Sequence, residues 1–302
     1  MAEKALNDLI HERLPALEVR AEEPMREHCS FRIGGAAEAF AVAESEEELT
    51  RLAALCREED IPLLVVGRGT NLLISDEGVR GVVVKLGEGL SALRAEGNRI
   101  TAGAGVTLAR LAQFAQQHAL TGLEFAHGIP GSLGGAVVMN AGAYGGEMKD
   151  AVVSVRCLDD DGVIREYPAE ALDFSYRHSR FSEHGGIVLS AVLSLMPGDG
   201  EAIAAKMREL MAKRTASQPL DLPSAGSTFK RPASGYAAAM IDGAGLKGYA
   251  VGGARVSEKH AGFVVNTGGA SFDDVLAVME HVQNTVREKY GVPLEPEVKI
   301  IR

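Results

Sequence analysis

The sequence predicts an α+β protein with two or three domains, and three observations lead to that prediction. The 302 residues exceed what a single hydrophobic core usually serves. Apolar residues recur at helical spacing in some segments and form short continuous runs of strand type in others. The segment PGDGE at 197–201 then separates a strand-rich part from a helix rich in Lys, Arg and Glu. We therefore place a domain boundary near residue 198.

The first half of the chain alternates helices and strands. Leu6, Ile10 and Leu14 predict an opening helix, and the runs LEVR and SFRIGG read as strands that lead to AFAVAE. Ser45 begins a helix, because Glu48 three positions later completes a capping box. Further elements are predicted as strands at 62–66, 72–74, 82–86 and 99–104 and a helix from Thr107.

The second half continues with strands at 152–158 and 163–167, joined by the turn DDDG, and a strand at 188–195. A charged helix is predicted over 202–215. The clearest helix of the chain runs over 271–290, with Gly291 as its C-terminal stop. The tail LEPEVKII is predicted to return as a strand.

Charge and cysteine content exclude several classes of function. The net charge of −10 disfavours nucleic acid as a partner, because phosphate backbones require a basic face. The three cysteines are widely separated, with no CxxC pair, which predicts reduced thiols and no metal site. With no signal peptide or membrane-spanning run, we expect a cytoplasmic protein with no membrane partner, as a monomer or a weak oligomer.

The stretch 122–146, GLEFAHGIPGSLGGAVVMNAGAYGG, is unusually rich in glycine. Closely spaced glycines let the main chain take positive φ angles and turn its N–H groups toward a bulky partner. The apolar residues between them, among them Leu133 and Val137, predict a buried segment. We interpret it as a cradle for a large ligand with phosphates; a glycine-rich junction in a tight core is the open alternative.

The loop Gly67-Arg68-Gly69-Thr70-Asn71 follows an apolar strand, as a dinucleotide fingerprint would. However, a strand-like LLIS follows it where the fingerprint needs a third glycine and a helix. What remains is a nest of N–H groups with a hydroxyl and an amide, which suits a diphosphate. The pair Gly103 and Gly105 reads as an ordinary turn between strand and helix.

Three further sites place polar or charged groups where loops meet strands. They are Tyr176-Arg177 in FSYRHSRF, Ser227 in AGSTFKRP and Glu297 in LEPEVKII. Taken singly, each has a structural explanation as a surface cation, a turn residue or the polar face of an edge strand. Their spacing does not show whether they meet.

Taken together, these motifs resemble one enzyme family. From about Ser30 onward, the chain is similar to the UDP-N-acetylenolpyruvoylglucosamine reductases, or UDP-N-acetylmuramate dehydrogenases, of bacterial cell-wall synthesis. The motifs that carry the resemblance are GRGTNLL (67–73), GIPGSLGGAVVMNAGAYGGE (128–147), YRHSRF (176–181), AGSTFKRP (225–232), AGLKGYAVGGARVSEKHAGFVVN (244–266) and LEPEV (294–298). Six motifs in the family's order make the resemblance specific.

The resemblance implies a fold. It predicts a two-lobed FAD-binding region of the vanillyl-alcohol-oxidase/PCMH type, followed by a C-terminal α+β substrate domain. The corresponding boundaries are 1–80 for the first FAD-binding lobe, 81–198 for the second and 199–302 for the substrate domain. We leave open that the last strand returns to the FAD region. Only a strand and a helix separate Arg177 from Ser227, so the chain resembles the shorter variety, which lacks the tyrosine-loop insertion.

The resemblance also implies cofactors and a reaction. FAD is expected to bind noncovalently, and NADPH is expected to reduce it. The expected reaction is a step of peptidoglycan precursor synthesis, which connects the enzyme with cell shape, cell division and the cell cycle. The enolpyruvyl sugar nucleotide then receives hydride at C3 and a proton at C2. The expected FAD-binding residues are Gly67, Arg68, Gly69, Thr70, Asn71, Gly128, Ile129, Pro130, Gly131, Ser132, Asn140, Gly142 and Ala143.

By the same resemblance, Arg177 and a protonated Glu297 stabilise the enolate that forms at the substrate carboxylate, and Ser227 gives the proton to C2. Our own inference adds that Lys230 favours the serine alkoxide. Further substrate contacts are expected from Tyr176, Lys230, Arg231, Lys247, Arg255 and Lys259, although solvated surface remains the alternative for some of these cations. Some family members carry Asn at the position of Arg231, which puts its contact in doubt.

Two rival functions stay open at this point. One is an FAD-dependent oxidase or dehydrogenase of the same flavin fold that acts on an alcohol or a hydroxy acid; it would leave the motifs STFK and LEPEV unexplained. The other is a non-catalytic protein that binds a nucleotide sugar or a flavin.

Overall fold

The computed structural model describes residues 3–302, with side chains from Leu6 onward. The chain forms two compact units. Unit 1 comprises 39–67, 81–214 and the described residues up to Ala21, and unit 2 comprises 22–38, 68–80 and 215–302. Residues 1 and 2, with which the first predicted lobe begins, lie outside the described residues. The lobe boundaries at 80 and 198 stay predictions.

Helices and strands are numbered in chain order. The helices are α1 (Glu3–Arg13), α2 (Glu46–Glu58), α3 (Leu108–Gln117), α4 (Leu133–Val138), α5 (Phe181–His184), α6 (Gly200–Ser217), α7 (Ala237–Gly243) and α8 (Phe272–Tyr290). The strands are β1 (Glu18–Pro24), β2 (Ala36–Ala43), β3 (Leu63–Val66), β4 (Leu72–Ile74), β5 (Val79–Leu86), β6 (Leu93–Glu96), β7 (Arg99–Gly103), β8 (Leu120–Thr121), β9 (Gly142–Ala143), β10 (Gly146–Glu147), β11 (Val152–Leu158), β12 (Ile164–Pro168), β13 (Ile187–Ser194), β14 (Met196–Pro197), β15 (Ala250–Val251), β16 (Ala254–Val256), β17 (Val264–Asn266) and β18 (Lys299–Ile301).

Unit 1 contains a five-stranded antiparallel sheet in the order β12-β11-β13-β7-β6. Its apolar side chains form one buried cluster with those of α3 and α4, including Ile100, Leu111, Val137, Val155 and Leu193. Each such side chain contributes about 1.5–3 kcal/mol when it leaves water. A four-stranded sheet has the order β1-β2-β5-β3, in which β3 and β5 are parallel. Leu133 and Val137 of the glycine-rich stretch belong to the same buried cluster as the five-stranded sheet.

Unit 2 is built around α8 and a three-stranded antiparallel sheet, β15-β16-β17. One face of α8, with Val275, Val278, Met279 and Val282, is buried. The strand β18 pairs in parallel with β4, so that Lys299 lies opposite Leu72. No helix in the described part of the chain is long and apolar enough to cross a membrane. Among residues 3–302, no group of three or more His, Cys, Asp or Glu side chains is placed to hold a metal ion.

Both long amphipathic helices begin at serine caps. Ser45 accepts a hydrogen bond from the main-chain N–H of Glu48, as predicted. The Glu48 carboxylate, however, accepts from the N–H of Glu44 instead of Ser45, so the predicted capping box forms only in half. The complete box lies at α8, where Ser271 and Asp274 cap each other.

Two predicted strands are wrong in extent. The run SFRIGG is irregular, and the strand begins only at Ala36. The physical reason is backbone direction, because Arg32 and Gly34 take φ angles of 56° and 141°, which interrupt an extended chain. In the tail LEPEVKII, only Lys299–Ile301 forms a regular strand. The helix stop at Gly291 is confirmed by its left-handed φ of 68°.

Candidate active site

The glycine-rich stretch folds into α4 and the short β9–β10 hairpin of unit 1. Leu133 and Val137 are fully buried, as the sequence predicts. The N–H groups of Leu133 and Gly134 donate to the carbonyls of Val106 and Ala104. A Cβ at Gly134 would lie 3.0 Å from the Cβ of Ala104. Glycine is therefore required here because two backbones approach closely.

Gly67, the first residue of one predicted FAD-binding stretch, lies against Ser132 of another, and both residues are in unit 1. A Cβ at Gly67 would fall onto the Oγ of Ser132, so the end of β3 lies directly against the start of α4. The main-chain N–H groups of Gly128, Gly131 and Ser132 donate to no protein acceptor among residues 3–302. N–H groups of this kind bind phosphate oxygens. The cradle therefore fits the diphosphate of FAD, whereas the individual contacts stay predictions.

Asn140 braces this stretch from within. The residue is fully buried, and its φ of 40° lies in the left-handed region. Its side-chain Nδ2 donates to the Oε2 of Glu147 at 3.0 Å and to the carbonyl of Ser175 at 2.9 Å. Its Oδ1 accepts from the N–H of Lys149. Both amide donors are thus used inside the protein, and the contact of Asn140 with the cofactor stays a prediction.

Arg177 lies in a tight hairpin turn of unit 1. The turn is closed by two main-chain hydrogen bonds between Ser175 and His178, each 3.2 Å long. Arg177 has a φ of 55°, which is unusual for a residue with a long side chain. Its guanidinium donates to the carbonyl of Gly142 at 3.2 Å and lies 5.0 Å from the ring centre of Tyr176. The predicted catalytic arginine therefore contacts the predicted FAD cradle.

The residues after Arg177 fasten the hairpin to α4. The hydroxyls of Ser179 and Ser182 both donate to the carbonyl of Val138, at 2.8 and 3.1 Å. The carboxylate of Glu147 lies nearby, and its pKa is lowered by the hydrogen bond from Lys149 and, more weakly, by the charge of Arg177. The YRHSRF motif and the glycine cradle thus form one hydrogen-bonded structure.

In unit 2, the AGSTFK motif pairs with LEPEV. Phe229 and Pro296 form an antiparallel bridge. The N–H of Glu297 donates to the carbonyl of Thr228 at 2.8 Å, and the N–H of Lys230 donates to the carbonyl of Glu295 at 2.9 Å. Ser227 is therefore the neighbour of the residue that pairs with Glu297. The structure brings the predicted proton donor and the predicted acid onto adjacent segments.

The buried Thr228 fixes this segment on its other side. Its N–H donates to the carbonyl of Gly262, and its Oγ1 accepts from the N–H of Val264 at 3.0 Å. These two hydrogen bonds fix the position of Thr228, the residue that follows Ser227.

Four residues of the predicted diphosphate nest, 68–71, lie in unit 2. Gly69 has a φ of 60°, and a Cβ there would fall onto the carbonyl oxygen of His28. The amide Nδ2 of Asn71 donates to the carbonyl of Glu297 at 3.1 Å. Asn71 therefore positions the segment that carries the predicted acid.

The cations predicted to bind substrate have separate partners in unit 2. Lys230 pairs with Glu295 at 3.4 Å, Lys247 with Asp242 at 2.8 Å, and Lys259 donates to the carbonyl of Thr215. The guanidinium of Arg231 lies 4.4 Å from the ring centre of Tyr236. The Nε of Arg255 is buried without a protein acceptor in the described residues. Their roles toward a substrate stay predictions.

Comparison with known proteins supplies the identity of the chain. The FAD binding domain matches residues 37–167, and the C-terminal domain of UDP-N-acetylenolpyruvoylglucosamine reductase matches residues 218–301. A UDP-N-acetylenolpyruvoylglucosamine reductase from Caldanaerobacter subterraneus subsp. tengcongensis is 52% identical over 296 residues, which cover 98% of both chains. The chain belongs to the UDP-N-acetylenolpyruvoylglucosamine reductase family.

Other members of the reductase family agree over nearly the full length. The reductase of Syntrophomonas wolfei subsp. wolfei is 48% identical, with 97% of this chain and 98% of that protein covered. The crystal structure of the reductase from Thermus caldophilus has a TM-score of 0.81 at 36% identity, with 95% and 99% covered. These comparisons confirm three predictions. They are the family, the FAD-binding fold class, and an FAD-dependent oxidoreductase with NADPH as its reductant.

Sequence reasoning missed several residues around these reductase motifs. Glu147 and Lys149 form a 2.8 Å ion pair beside Asn140, and Thr228 fixes the AGSTFK segment. The Nδ1 of His127, at the start of the cradle, is buried without a protein partner in the described part of the chain. Glu147 ends the glycine motif and could have been noticed as its only charged residue. Nothing in the sequence distinguishes the role of His127.

Proposed function

We propose that the chain reduces UDP-N-acetyl-3-O-(1-carboxyvinyl)glucosamine to UDP-N-acetylmuramate in cytoplasmic peptidoglycan precursor synthesis. NADPH is the reductant. The near full-length identity of 52% to a reductase of this family supports the reaction. The fit of the glycine cradle to a diphosphate supports FAD as the bound group, which when bound would take hydride from NADPH and give it to C3 of the enolpyruvyl group.

The single observation that carries the proposal is the pairing of AGSTFK with LEPEV in unit 2. It brings Ser227 next to the residue that pairs with Glu297. Addition of hydride to C3 leaves negative charge on C2 and the adjacent carboxylate, so the reaction needs one proton donor and one group that stabilises the carboxylate. In this proposal Ser227 donates its hydroxyl proton to C2, and Glu297, in its acid form, donates a hydrogen bond to the carboxylate.

Arg177 has the charge to stabilise the same carboxylate. Its guanidinium is held by the carbonyl of Gly142 and by a rigid turn, so little reorganisation is needed when charge develops. General-acid steps contribute roughly 10²–10⁴-fold to such reactions. After the proton leaves Ser227, the positive charge of Lys230, three residues on, favours the alkoxide until solvent returns a proton. Lys230 also forms an ion pair with Glu295, so its stabilisation of the alkoxide is small.

Anaerobic spectroscopy of the purified protein tests the proposal. The flavin should bleach on addition of NADPH, and the enolpyruvyl sugar nucleotide should restore its oxidised spectrum and yield UDP-N-acetylmuramate. Bleaching by an alcohol or a hydroxy acid but not by NADPH would favour an oxidase or dehydrogenase of the same fold. A flavin that none of these compounds bleaches would indicate a binding protein. The cytoplasmic location and the state as a monomer or weak oligomer stay predictions, to be checked by fractionation and light scattering.

A further inference from the structure

We propose that Glu147 is a positioning residue for Arg177, and this inference rests on the proposed function. Three observations lead to it. The Glu147 carboxylate is a fixed anion, the same asparagine amide holds both it and the Arg177 turn, and the Arg177 guanidinium contacts the residue that pairs with Glu147. Each observation concerns residues of unit 1 alone.

The Glu147 carboxylate is held from several sides. It accepts from Nδ2 of Asn140 at 3.0 Å and from Nζ of Lys149 at 2.8 Å. It also caps the short 3-10 helix Met148–Asp150, and the Asp150 carboxylate accepts from the N–H of Glu147 in return. A carboxylate with this many donors stays ionised, which agrees with its lowered pKa. The contacts with Asn140 and with the 3-10 helix tie the carboxylate to the main fold, and the ion pair with Lys149 adds to them.

The turn that carries Arg177 is held by the same amide. The side-chain Nδ2 of Asn140 donates two hydrogen bonds. One goes to the Glu147 carboxylate, and the other goes to the carbonyl of Ser175 at 2.9 Å. The amide therefore fixes the distance between the anion and the turn. The left-handed φ of Arg177 requires such support, because an isolated turn with arginine in this conformation would relax.

The guanidinium of Arg177 meets the strand pair that carries the anion. It donates to the carbonyl of Gly142, and Gly142 lies opposite Glu147 in the β9–β10 ladder. The charge of Arg177 also contributes to the lowered pKa of Glu147, so the two charges act on each other. Glu147 thus balances Arg177 before substrate binds and limits the directions in which its guanidinium can point. Preorganised charge of this kind lowers the cost of stabilising an enolate.

This role predicts an effect on only one half of the reaction. In Glu147→Gln, the shape and the acceptor for Asn140 are kept while the charge is lost. We expect the rate of flavin reduction by NADPH to stay within about twofold of wild type, and the rate of reoxidation by the enolpyruvyl sugar nucleotide to fall roughly ten- to hundredfold, as for coupled contacting residues. Glu147→Asp keeps the charge and should recover most of the reoxidation rate. Glu166→Gln, a Glu→Gln change on the exposed partner of Ser154, is the matched control and should change neither rate.

A double-mutant cycle with Arg177→Gln, measured by anaerobic stopped flow, tests whether Glu147 acts through Arg177. With Arg177 already replaced, Glu147→Gln should change the reoxidation rate by less than about twofold. An unchanged reoxidation rate in Glu147→Gln, an equal fall in both half-reactions, or a full effect in the Arg177→Gln background would each overturn the inference. A wild-type flavin that the sugar nucleotide does not reoxidise would instead overturn the proposed function, and the wild-type trace separates these outcomes.

Discussion

Asn71 donates a hydrogen bond from its side-chain amide to the main-chain carbonyl of Glu297, at 3.1 Å, although the two residues are 226 positions apart. The carbonyl of Asn71 in turn accepts from the N–H of Lys299 at 2.9 Å. Asn71 thus contacts the LEPEV motif and the strand after it. A residue predicted to bind cofactor is also the one that fixes the predicted acid.

Replacing Asn71 with Ala should therefore cost stability and rate together. The substitution removes this one side-chain hydrogen bond, and a bond of this kind contributes about 0.5–1.5 kcal/mol to the free energy of unfolding. Asn98→Ala removes a comparable amide-to-carbonyl bond to Leu195 in unit 1 and should cost a similar amount. Urea unfolding measures both, and stopped flow should show slower reoxidation of the flavin only in Asn71→Ala. Equal reoxidation rates in the two variants would contradict this assignment.

Ser227→Ala should keep FAD and its reduction by NADPH, because in the proposed mechanism the hydroxyl acts only when C2 is protonated. Turnover of the enolpyruvyl substrate should fall by roughly 10²–10⁴-fold. The matched control is Ser224→Ala in the same loop, whose hydroxyl accepts a long bond from the N–H of Gly226. Product formation measured beside flavin reduction checks the result. Near wild-type turnover in Ser227→Ala would exclude it as the donor.

Glu297→Gln should spare the reduction of the flavin and slow its reoxidation by substrate. The amide keeps the size of the side chain but cannot act as an acid. Glu295→Gln, two residues earlier, is the control, since that side chain is 74% exposed and forms a surface ion pair with Lys230. Loss of the surface ion pair in Glu295→Gln should change the free energy of unfolding by less than about 1 kcal/mol. If both half-reactions slow equally in Glu297→Gln, the residue has a structural role.

Adjacent glycines of α4 should respond in opposite ways to alanine. Gly134→Ala forces a Cβ to within 3.0 Å of Ala104 and should destabilise the protein by about 1–3 kcal/mol. Gly135→Ala meets no atom within 4 Å and should gain about 0.5–1 kcal/mol from the lower entropy of the unfolded chain. Chemical denaturation of the protein without flavin measures the difference. Similar values for both variants would mean that α4 moves to accept the larger residue.

The pH dependence of stability should reveal the burial of His260. Burial, and more weakly the charge of Lys247, lowers the pKa of this imidazole from its ordinary value of 6.5. As the pH falls through that value, the unfolded chain binds a proton that the folded chain resists, so stability declines. Urea unfolding at about pH 7.5 and about pH 5.5 should show a smaller decline in His260→Gln than in wild type. His184→Gln, at an exposed position, is the control and should keep the wild-type decline.

How far the sequence predicts this molecule depends on whether a signal is local. The cap at Ser45, the stop at Gly291 and the buried face of α8 follow from neighbouring residues, and the structure has them. The irregular path of SFRIGG is not predicted, because no neighbouring residue marks Arg32 as a position with a positive φ angle.

The same limit applies to the site. The motifs identify which residues to examine. The pairing of Thr228 with Glu297, however, joins distant parts of the chain, and the spacing of residues in the sequence does not predict it. The hydrogen-bond network of Asn140, Glu147 and Ser175 cannot be predicted from the sequence either, because each residue by itself is typical of an ordinary polar loop.

The parallel pairing of β4 with β18 has a consequence for biosynthesis. The only strand with which Leu72–Ile74 pairs in the described residues is Lys299–Ile301. A ribosome adds roughly 5–20 residues per second. The interval between synthesis of these three apolar residues and synthesis of the strand with which they pair is therefore roughly 10–50 s. During that time they form an unpaired apolar segment of the kind that makes a folding chain prone to aggregation, and a chain that stops before residue 299 never pairs it.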